Sequence, residues 1–348
     1  MALWMLRAGR HGEYEDRFLS TSRIYLTWGD TIPNDARGFN SRADVVQTLR
    51  ERWPNASEGK IRNHAGQLWA FLRTMKPGDL VVVPSKKTPE LHFGVINSDA
   101  RFDPGAEADY RHYREVTWLH DVPRSAMDKD ILYSLGAIMT ICEISRNDAE
   151  ARIRRMLQLP ASKATFAAAP EEPRDVEAAT SIDYEQLARD EIAALIIRRF
   201  KGHGMERLVD AILRAQGYVT YHSPTGADRG VDILAGSGDL GFGSPKMCVQ
   251  VKSEQAPVDH PTFSQLLGTM QAVGAVGADQ GLLVSWGGFK ATVEREVPRH
   301  FFKVRLWDQK TLLDQLFQHY DRLDEEIRAE IPLKRIWTIV PDDTDEGE

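Results

Sequence analysis

Two polar side chains interrupt an apolar, strand-like run in the second half of the sequence. In "MCVQVKSE", Gln250 and Lys252 alternate with Val249 and Val251. Because successive side chains of a strand point to opposite faces, Gln250 and Lys252 share the face opposite the two valines. A lysine is seldom fully buried unless it is paired. This face therefore meets water, an acid, or a ligand that needs a cation.

A carboxylate stands on the preceding strand-like run, "GVDILA", where Asp232 shares a face with Leu234. If this run pairs with "MCVQVK" through the glycine-rich connection 235–245, Asp232 can lie beside Gln250 and Lys252. Mg²⁺ prefers oxygen ligands and keeps several waters, so a few protein groups suffice to hold it. The ion activates a bound water and stabilises charge on a phosphoryl oxygen, while a lysine orients that water. The pattern is suited to metal-assisted phosphoryl chemistry.

The elements that must position these residues follow a regular order. A helix over "GMERLVDAILRAQG" ends at a glycine, and three strands follow, "YVTYH", "GVDILA" and "MCVQVK". A helix, a strand, a short helix, a strand and a last helix come next, and Asp308 is well placed to cap the last helix. This order predicts a mixed sheet flanked by helices, with both α+β and α/β character over the whole chain.

The residues "GADRGVDI" and "VQVK" together resemble the core of the PD-(D/E)XK nuclease superfamily, and specifically the Mrr-like restriction endonuclease domain. The resemblance covers residues 202–320. It implies that Asp232 is the metal-binding acid and Lys252 the catalytic lysine, while Gln250 takes the place of a second acid. A neutral glutamine departs from the superfamily pattern, although it is normal in the Mrr-like branch.

The same resemblance implies further members of the site. Glu206, on the first helix, matches a position that can supply an extra carboxylate, and Gln265 matches one that often lines the site. The expected cofactor is Mg²⁺ or Mn²⁺, held by Asp232, Gln250, Val251 and Glu206.

Each of these residues also has a plainer interpretation. Asp232 and Lys252 could form a surface ion pair on a sheet edge, and Glu206 and Gln265 could be ordinary helix residues. Asp228 and Arg229, in the turn before Asp232, are candidate DNA contacts. Asp228 could instead order the turn through its own backbone contacts.

The first half of the chain mixes strands and helices. The runs "RIYLTWGD", "GDLVVVPS" and "LHFGVI" predict strands, and "ADVVQTLRERW" and "HAGQLWAFLRTM" predict helices. The segment "ADYRHYREVTWLHDVPRSAM" mixes aromatic residues with Arg111, His112 and Arg114, a mixture that stacks on bases and contacts phosphates. We expect a compact, barrel-like α+β domain.

The segments "WMLRAGRHGE", "RIYLTWGD", "MKPGDLVVVPSK" and "HYREVTWLHDVPRS" resemble the PUA-like (EVE-like) domains that are fused to restriction endonucleases. The resemblance implies a β-barrel whose mouth accepts one base turned out of the duplex, often a modified one. A snug aromatic pocket can offset the few kcal/mol that extrusion costs. Trp28 is the pocket candidate, and Arg114 and Lys86 are phosphate candidates, although each could serve packing or surface charge alone.

The domain boundaries follow from composition. We expect a base-recognition domain at 1–158, a linker rich in Ala, Pro and Glu at 159–182, a nuclease domain at 183–338 and an acidic tail at 339–348. The net charge of −7 is concentrated in the linker and the tail, so local patches elsewhere can still bind phosphate.

Composition limits the remaining possibilities. No apolar run approaches a membrane span, and two cysteines make neither a disulfide framework nor a zinc site, which fits a reducing cytoplasm. No phosphate-binding P-loop is present, so we expect no nucleotide cofactor.

The two resemblances, with the polar residues that carry them, imply a modification-dependent restriction endonuclease that cuts double-stranded DNA with Mg²⁺. One site cuts one strand, so we expect a homodimer or a higher assembly. Two alternatives stay open: a nucleic-acid reader or sensor that does not cleave, and a subunit of a larger defence assembly.

Overall fold

The computed structural model describes residues 1–29, 31–32, 34–137, 139–158, 183–223, 231–272 and 278–337. The chain divides into two compact units, Met1–Leu187 and Ala188–Trp337. The expected linker at 159–182 and the expected acidic tail lie outside the described residues. Among the described residues, no helix combines the length and the apolar character that crossing a bilayer would need.

The first unit is built on a seven-stranded sheet. Its strands are β1 (Leu3–Leu6), β2 (Arg23–Tyr25), β3 (Leu80–Pro84), β4 (Glu90–Ile96), β5 (Arg101–Phe102), β6 (His112–Pro123) and β7 (Ile141–Glu143). Their order is β2-β6-β4-β3-β1-β7, with β5 also paired to β6. Strands β1 and β3 run parallel, and the other described pairs of this sheet are antiparallel. No described pairing joins β2 to β7, so the curled sheet does not show the PUA-like barrel that the sequence predicted.

Helices cover both faces of this sheet. They are α1 (Glu15–Thr21), α2 (Arg42–Arg52), α3 (Glu58–Trp69), α4 (Lys129–Leu135) and α5 (Ala149–Met156). Strand β3 is apolar throughout because Val81 and Val83 pack into one core and Leu80 and Val82 into the other. A strand buried on both faces has no reason to alternate with polar residues.

The second unit is a five-stranded mixed sheet. Its strands are β8 (Val219–His222), β9 (Ile233–Ser237), β10 (Gly243–Lys252), β11 (Gln280–Ser285) and β12 (Val304–Trp307). The order is β12-β11-β10-β9-β8. Strands β8, β9 and β10 pair antiparallel, whereas β10, β11 and β12 pair parallel. The predicted pairing of the Asp232 strand with the Lys252 strand is confirmed.

Two layers of helices enclose this sheet. The helices are α6 (Tyr184–Arg199), α7 (His203–Ala215), α8 (His260–Ala272), α9 (Ala291–Glu294), α10 (Gln309–His319) and α11 (Glu325–Glu330). Helices α6, α7, α10 and α11 pack on one face of the sheet, and α8 and α9 pack on the other. Asp308 caps α10, since its Oδ1 accepts the amide of Thr311 at 2.7 Å, as the sequence predicted. The mixed sheet flanked by helices is confirmed.

Candidate active site

Two hydrogen bonds, each donated by a main-chain amide, place Asp232 beside Gln250. The amide of Asp232 donates to the carbonyl of Val249 at 2.9 Å, and the amide of Val251 donates to Oδ2 of Asp232 at 2.5 Å. The two bonds lie on either side of Gln250 in β10. The carboxylate of Asp232 is therefore fixed to the backbone of the strand that carries the other two polar residues.

The three residues lie on the same face of the sheet. Val249 and Val251 pack into the core on the side of α7, whereas Cys248 packs on the side of α8. Alternation along β10 puts Gln250 and Lys252 on the same side as Cys248. Lys252 is half-buried and ends the strand. Asp232, two residues before Leu234, the Cα partner of Cys248, faces the same side. An acid, an amide and an ammonium group thus share one face at this end of β10.

The side chain of Gln250 is buried without a partner for its oxygen. The residue is 2% exposed, and its Oε1 accepts no hydrogen bond from any described residue. A buried acceptor left unsatisfied costs about 1–3 kcal/mol, so native structures usually give such atoms a partner. Carbonyl and carboxylate oxygens are the ligands of hard cations such as Mg²⁺. The Gln250 oxygen and the Asp232 carboxylate therefore fit a divalent ion.

Acidic and histidine side chains alone do not make this site. Within the described ranges, no group of three His, Cys, Asp or Glu side chains is arranged to hold a metal ion. A divalent ion at this place would therefore need further oxygen ligands, such as the amide oxygen of Gln250 and the main-chain oxygen of Val251.

Glu206 lies in the first turn of α7 between two histidines. Nδ1 of His203 lies 2.9 Å from its Oε1, and Nε2 of His222 lies 3.4 Å from its Oε2. The Glu206 side chain is 14% exposed. To bind a metal ion as predicted, the Glu206 carboxylate would have to give up its contacts with these imidazoles or keep one oxygen on them while the other binds the ion. Neither histidine was identified from the sequence, although the spacing of three between His203 and Glu206 is a helical contact spacing.

Gln265, Asp228 and Arg229 are the remaining predicted site residues of this unit. Gln265 is exposed on α8, whose residues Phe263, Leu266 and Met270 are buried in the core. No described contact joins Gln265 to Gln250. Asp228 and Arg229 lie outside the described residues, so their roles stay predictions.

Sequence reasoning missed a buried serine next to Lys252. Ser285 ends β11 and is in register with Lys252 of β10. It is 0% exposed, and its Oγ has no hydrogen-bond partner among the described residues. Its position at the end of the apolar run "GLLVS" was the only signal in the sequence.

In the first unit, Trp28 belongs to a small group of rings. The ring of His64 lies 5.3 Å from that of Trp28 and 5.0 Å from that of Trp53. Nζ of Lys60 lies 5.5 Å from the ring of Trp53. We call Trp28, Trp53, Lys60 and His64 the aromatic cluster. The two tryptophans are half-buried, so the cluster borders both the core and the surface.

The structure corrects the phosphate-binding prediction for Arg114. The residue is 1% exposed, and its guanidinium donates to the carbonyls of Phe71 at 2.7 Å and Ser98 at 2.8 Å. Burial lowers the pKa of Arg114 to about 10. Its guanidinium links two backbone segments inside the core and is not accessible to a phosphate. Lys86 is accessible, but its Nζ pairs with Asp183 at 3.1 Å.

Comparison with known families bears on each half of the chain. Residues 197–316 match a family model described as restriction endonuclease, Mrr_cat. The second unit carries a restriction endonuclease domain. The match confirms the predicted restriction endonuclease domain. Asp232, Gln250 and Lys252 lie within the matched range, and their roles stay predictions. Residues 4–144 match a domain of unknown function, DUF8426, which does not test the base-reading prediction.

Three solved structures are similar to the chain at low identity. The DNA modification-dependent restriction endonuclease AspBHI is 17% identical, with 78% of this chain and 72% of that chain covered and a TM-score of 0.33. The MspJI restriction endonuclease in complex with a 27-mer oligonucleotide is 13% identical, with 94% and 71% covered and a TM-score of 0.32. AF1548, a protein of unknown function, is 14% identical, with 36% and 77% covered and a TM-score of 0.27. These scores carry no argument about mechanism. No curated protein matches the chain.

Proposed function

We propose that the protein hydrolyses phosphodiester bonds in double-stranded DNA that carries a modified base, with Mg²⁺ or Mn²⁺ as cofactor. The observation that supports this proposal is that Asp232, Gln250 and Lys252 share one face of the sheet within the restriction endonuclease domain, with the Asp232 carboxylate bound to the Val251 amide. The buried, unsatisfied oxygen of Gln250 supports a ligand at this place.

Each residue has a distinct role in this proposal. Asp232, Gln250, the main-chain oxygen of Val251 and Glu206 would hold the ion. When bound, it would polarise the phosphoryl oxygen and favour ionisation of a coordinated water. Lys252 donates a hydrogen bond to the attacking water or to the phosphoryl oxygen, and its charge offsets the negative charge that develops there. The bond from the Val251 amide holds the Asp232 carboxylate in place for this work.

The first unit reads the base in this proposal. Stacking of a base on an aromatic side chain is worth about 1–3 kcal/mol, so two rings can offset the few kcal/mol that base extrusion costs. The half-buried tryptophans of the aromatic cluster supply such rings, and Lys60 supplies a cation beside them. The ring of His64 lies against both tryptophans, so an inserted base would displace it.

Cleavage of supercoiled plasmid DNA tests the nuclease. Wild-type protein should cut modified plasmid with Mg²⁺, leave unmodified plasmid intact and stop in EDTA. Replacement of Lys252 by Ala should lower the cutting rate by about 10²–10⁴-fold, because a positioned proton-transfer group contributes that much. One active site cuts one strand, so nicked circles should precede linear DNA and linear DNA should require a second copy of the chain.

Matched variants separate catalysis from general damage. Lys246→Ala removes a lysine from the other end of the same strand, and Asp239→Asn removes an exposed acid from the β9–β10 connection. Both should cut like wild type, whereas Asp232→Asn should not cut. Folded wild-type protein that cuts no plasmid, whatever its base modification, would contradict the proposal. Equal binding by wild type and Lys252→Ala without any cutting would indicate a reader that does not cleave.

A further inference from the structure

We propose that Ser285 is a positioning residue for the ammonium group of Lys252 and shares that task with Gln250. The inference rests on the proposed function, and it concerns a side chain that the metal-binding pattern does not include. Ser285 would act through Lys252 and would not touch the DNA itself.

The register of the sheet places Ser285 next to Lys252. The two residues are Cα partners in the parallel pair β10–β11, as are Gln250 and Leu283. Partners in adjacent strands project to the same face of a sheet, and Leu283 is buried on the side of α8. Ser285, two residues after Leu283, therefore lies on the face that carries Gln250 and Lys252.

Two buried oxygens flank the lysine on this face. Oγ of Ser285 and Oε1 of Gln250 are both fully buried, and neither has a hydrogen-bond partner in the described part of the chain. Burial without a partner costs stability, so a native protein retains such a pair where something else satisfies it. Ser285 is opposite Lys252 on the next strand, and Gln250 precedes Lys252 by one position on the same face.

The ammonium group of Lys252 has the matching hydrogen-bonding capacity. It carries three N–H donors and no acceptor, whereas a hydroxyl and an amide carbonyl each offer two lone pairs. Two donors can bind Ser285 and Gln250, which leaves the third for the attacking water or the phosphate. The second lone pair of Gln250 remains for the metal ion.

DNA binding would bring this arrangement together. Lys252 is half-buried, and its ammonium makes no hydrogen bond to a described residue in the structure. Catalytic hydrogen bonds are often loose in the free enzyme and tighten only when the substrate is bound. DNA that covers the end of β10 excludes water from it. The ammonium group then loses its hydrogen bonds to water and donates to the oxygens of Ser285 and Gln250 instead. These two bonds hold it in one orientation.

Ser285→Ala separates this role from a structural one. The substitution removes a hydroxyl that has no partner among the described residues, so the melting temperature should not fall below that of wild type. The single-turnover cutting rate should fall about 10- to 100-fold with KM unchanged, because the lysine is held less well only in the reacting complex. The measurements are thermal denaturation and cutting of the plasmid that wild type cuts with Mg²⁺.

Two further variants complete the test. Ser98→Ala removes a buried serine whose Oγ donates to the Asp99 carbonyl and accepts the Glu115 amide, so it should lower the melting temperature and leave the rate unchanged. Ser285→Thr retains the hydroxyl and should restore most of the rate. A rate as low as that of Ser285→Ala in folded Ser285→Thr protein would contradict the inference.

The outcomes distinguish this inference from the proposed function. If Lys252→Ala abolishes cutting while Ser285→Ala cuts at the wild-type rate, the nuclease stands and the role of Ser285 is wrong. If Ser285→Ala melts lower by as much as Ser98→Ala, Ser285 is an ordinary structural serine and the inference is likewise wrong. If folded wild-type protein cuts no plasmid at all, both the proposed nuclease function and the role of Ser285 are wrong.

Discussion

His92 of the first unit is held between two carboxylates. Its Nδ1 lies 2.6 Å from Oδ1 of Asp121, and its Nε2 lies 3.3 Å from Oε1 of Glu15. Glu15 also accepts a hydrogen bond from Oγ of Ser85 at 2.7 Å. The His92 side chain is only 6% exposed. Three elements that are distant in sequence are therefore tied by one imidazole.

His92, Asp121 and Glu15 shift one another's pKa values. Burial alone would lower the pKa of His92, but the hydrogen bonds to Asp121 and Glu15 outweigh it and raise the pKa to about 9. The hydrogen bond from His92 lowers the pKa of Asp121, and it helps to lower that of Glu15 against the effect of burial. The histidine contribution to stability is full below pH 6.5 and is lost as the pH rises towards 9. The carboxylates of Asp121 and Glu15 contribute stability that is lost as the pH falls through their lowered pKa values.

His92→Gln should therefore destabilise the first unit in a pH-dependent way. The loss should be about 2–3 kcal/mol near pH 6 and should shrink as the pH rises towards 9, because the folded-state proton is then released in wild type too. Thermal denaturation between pH 5 and pH 10 measures it. His11→Gln, at an exposed position, is the control for the loss of an imidazole. A difference that stays constant across this range would contradict the ion-pair account.

At the scale of elements, the start of α7 is fixed to the end of β10. The amide of Gly202 donates to Oγ of Ser253 at 3.0 Å, immediately after Lys252 in sequence. Gly202 has φ 64° and ψ −132°, a conformation that residues with a Cβ rarely adopt. This contact places the helix that carries Glu206 next to the strand that carries Gln250 and Lys252.

Two neighbouring glycines give opposite predictions. Gly202→Ala should lower the free energy of unfolding by about 1–3 kcal/mol, because the backbone there is strained for alanine. Gly204→Ala, inside α7 where an added methyl group would meet only ordinary contacts, should raise it by about 0.5–1 kcal/mol. Chemical denaturation checks both. Cutting should fall with Gly202→Ala alone, and equal behaviour of the two variants would contradict the role assigned to this turn.

At the scale of the whole molecule, the proposal assigns binding and cutting to different units. Trp28→Ala should lower affinity for modified duplex by about 5- to 150-fold, since a lost base–ring stack costs about 1–3 kcal/mol, and should leave affinity for unmodified duplex unchanged. Lys252→Ala should bind both duplexes like wild type. Fluorescence anisotropy in Ca²⁺ buffer measures this without cleavage. Trp337→Ala, at a fully exposed tryptophan, is the matched control.

The opposite result would locate the reader elsewhere. If Trp28→Ala binds modified and unmodified duplexes with the wild-type ratio, the aromatic cluster does not select the base. Cutting by that variant would then retain its dependence on modification, and the nuclease assignment would be unaffected.

The sequence by itself determined the order of elements in the second unit and the grouping of Asp232, Gln250 and Lys252. Strand alternation has a period of two, so the face of each polar residue follows from counting once the strand is recognised. The glycine-rich connection suggested that β9 pairs with β10, and a local signal fixed the Asp308 cap. That the pairing is antiparallel came from the structure.

Only the tertiary structure decided which way the remaining polar residues face and what they contact. Arg114 stands in a segment rich in surface-like residues, yet its guanidinium bonds to carbonyls 43 and 16 positions away. The partners of Glu206 and the burial of Ser285 likewise depend on neighbouring strands and helices. Such contacts join residues distant in sequence, and no local pattern records the surroundings that they create.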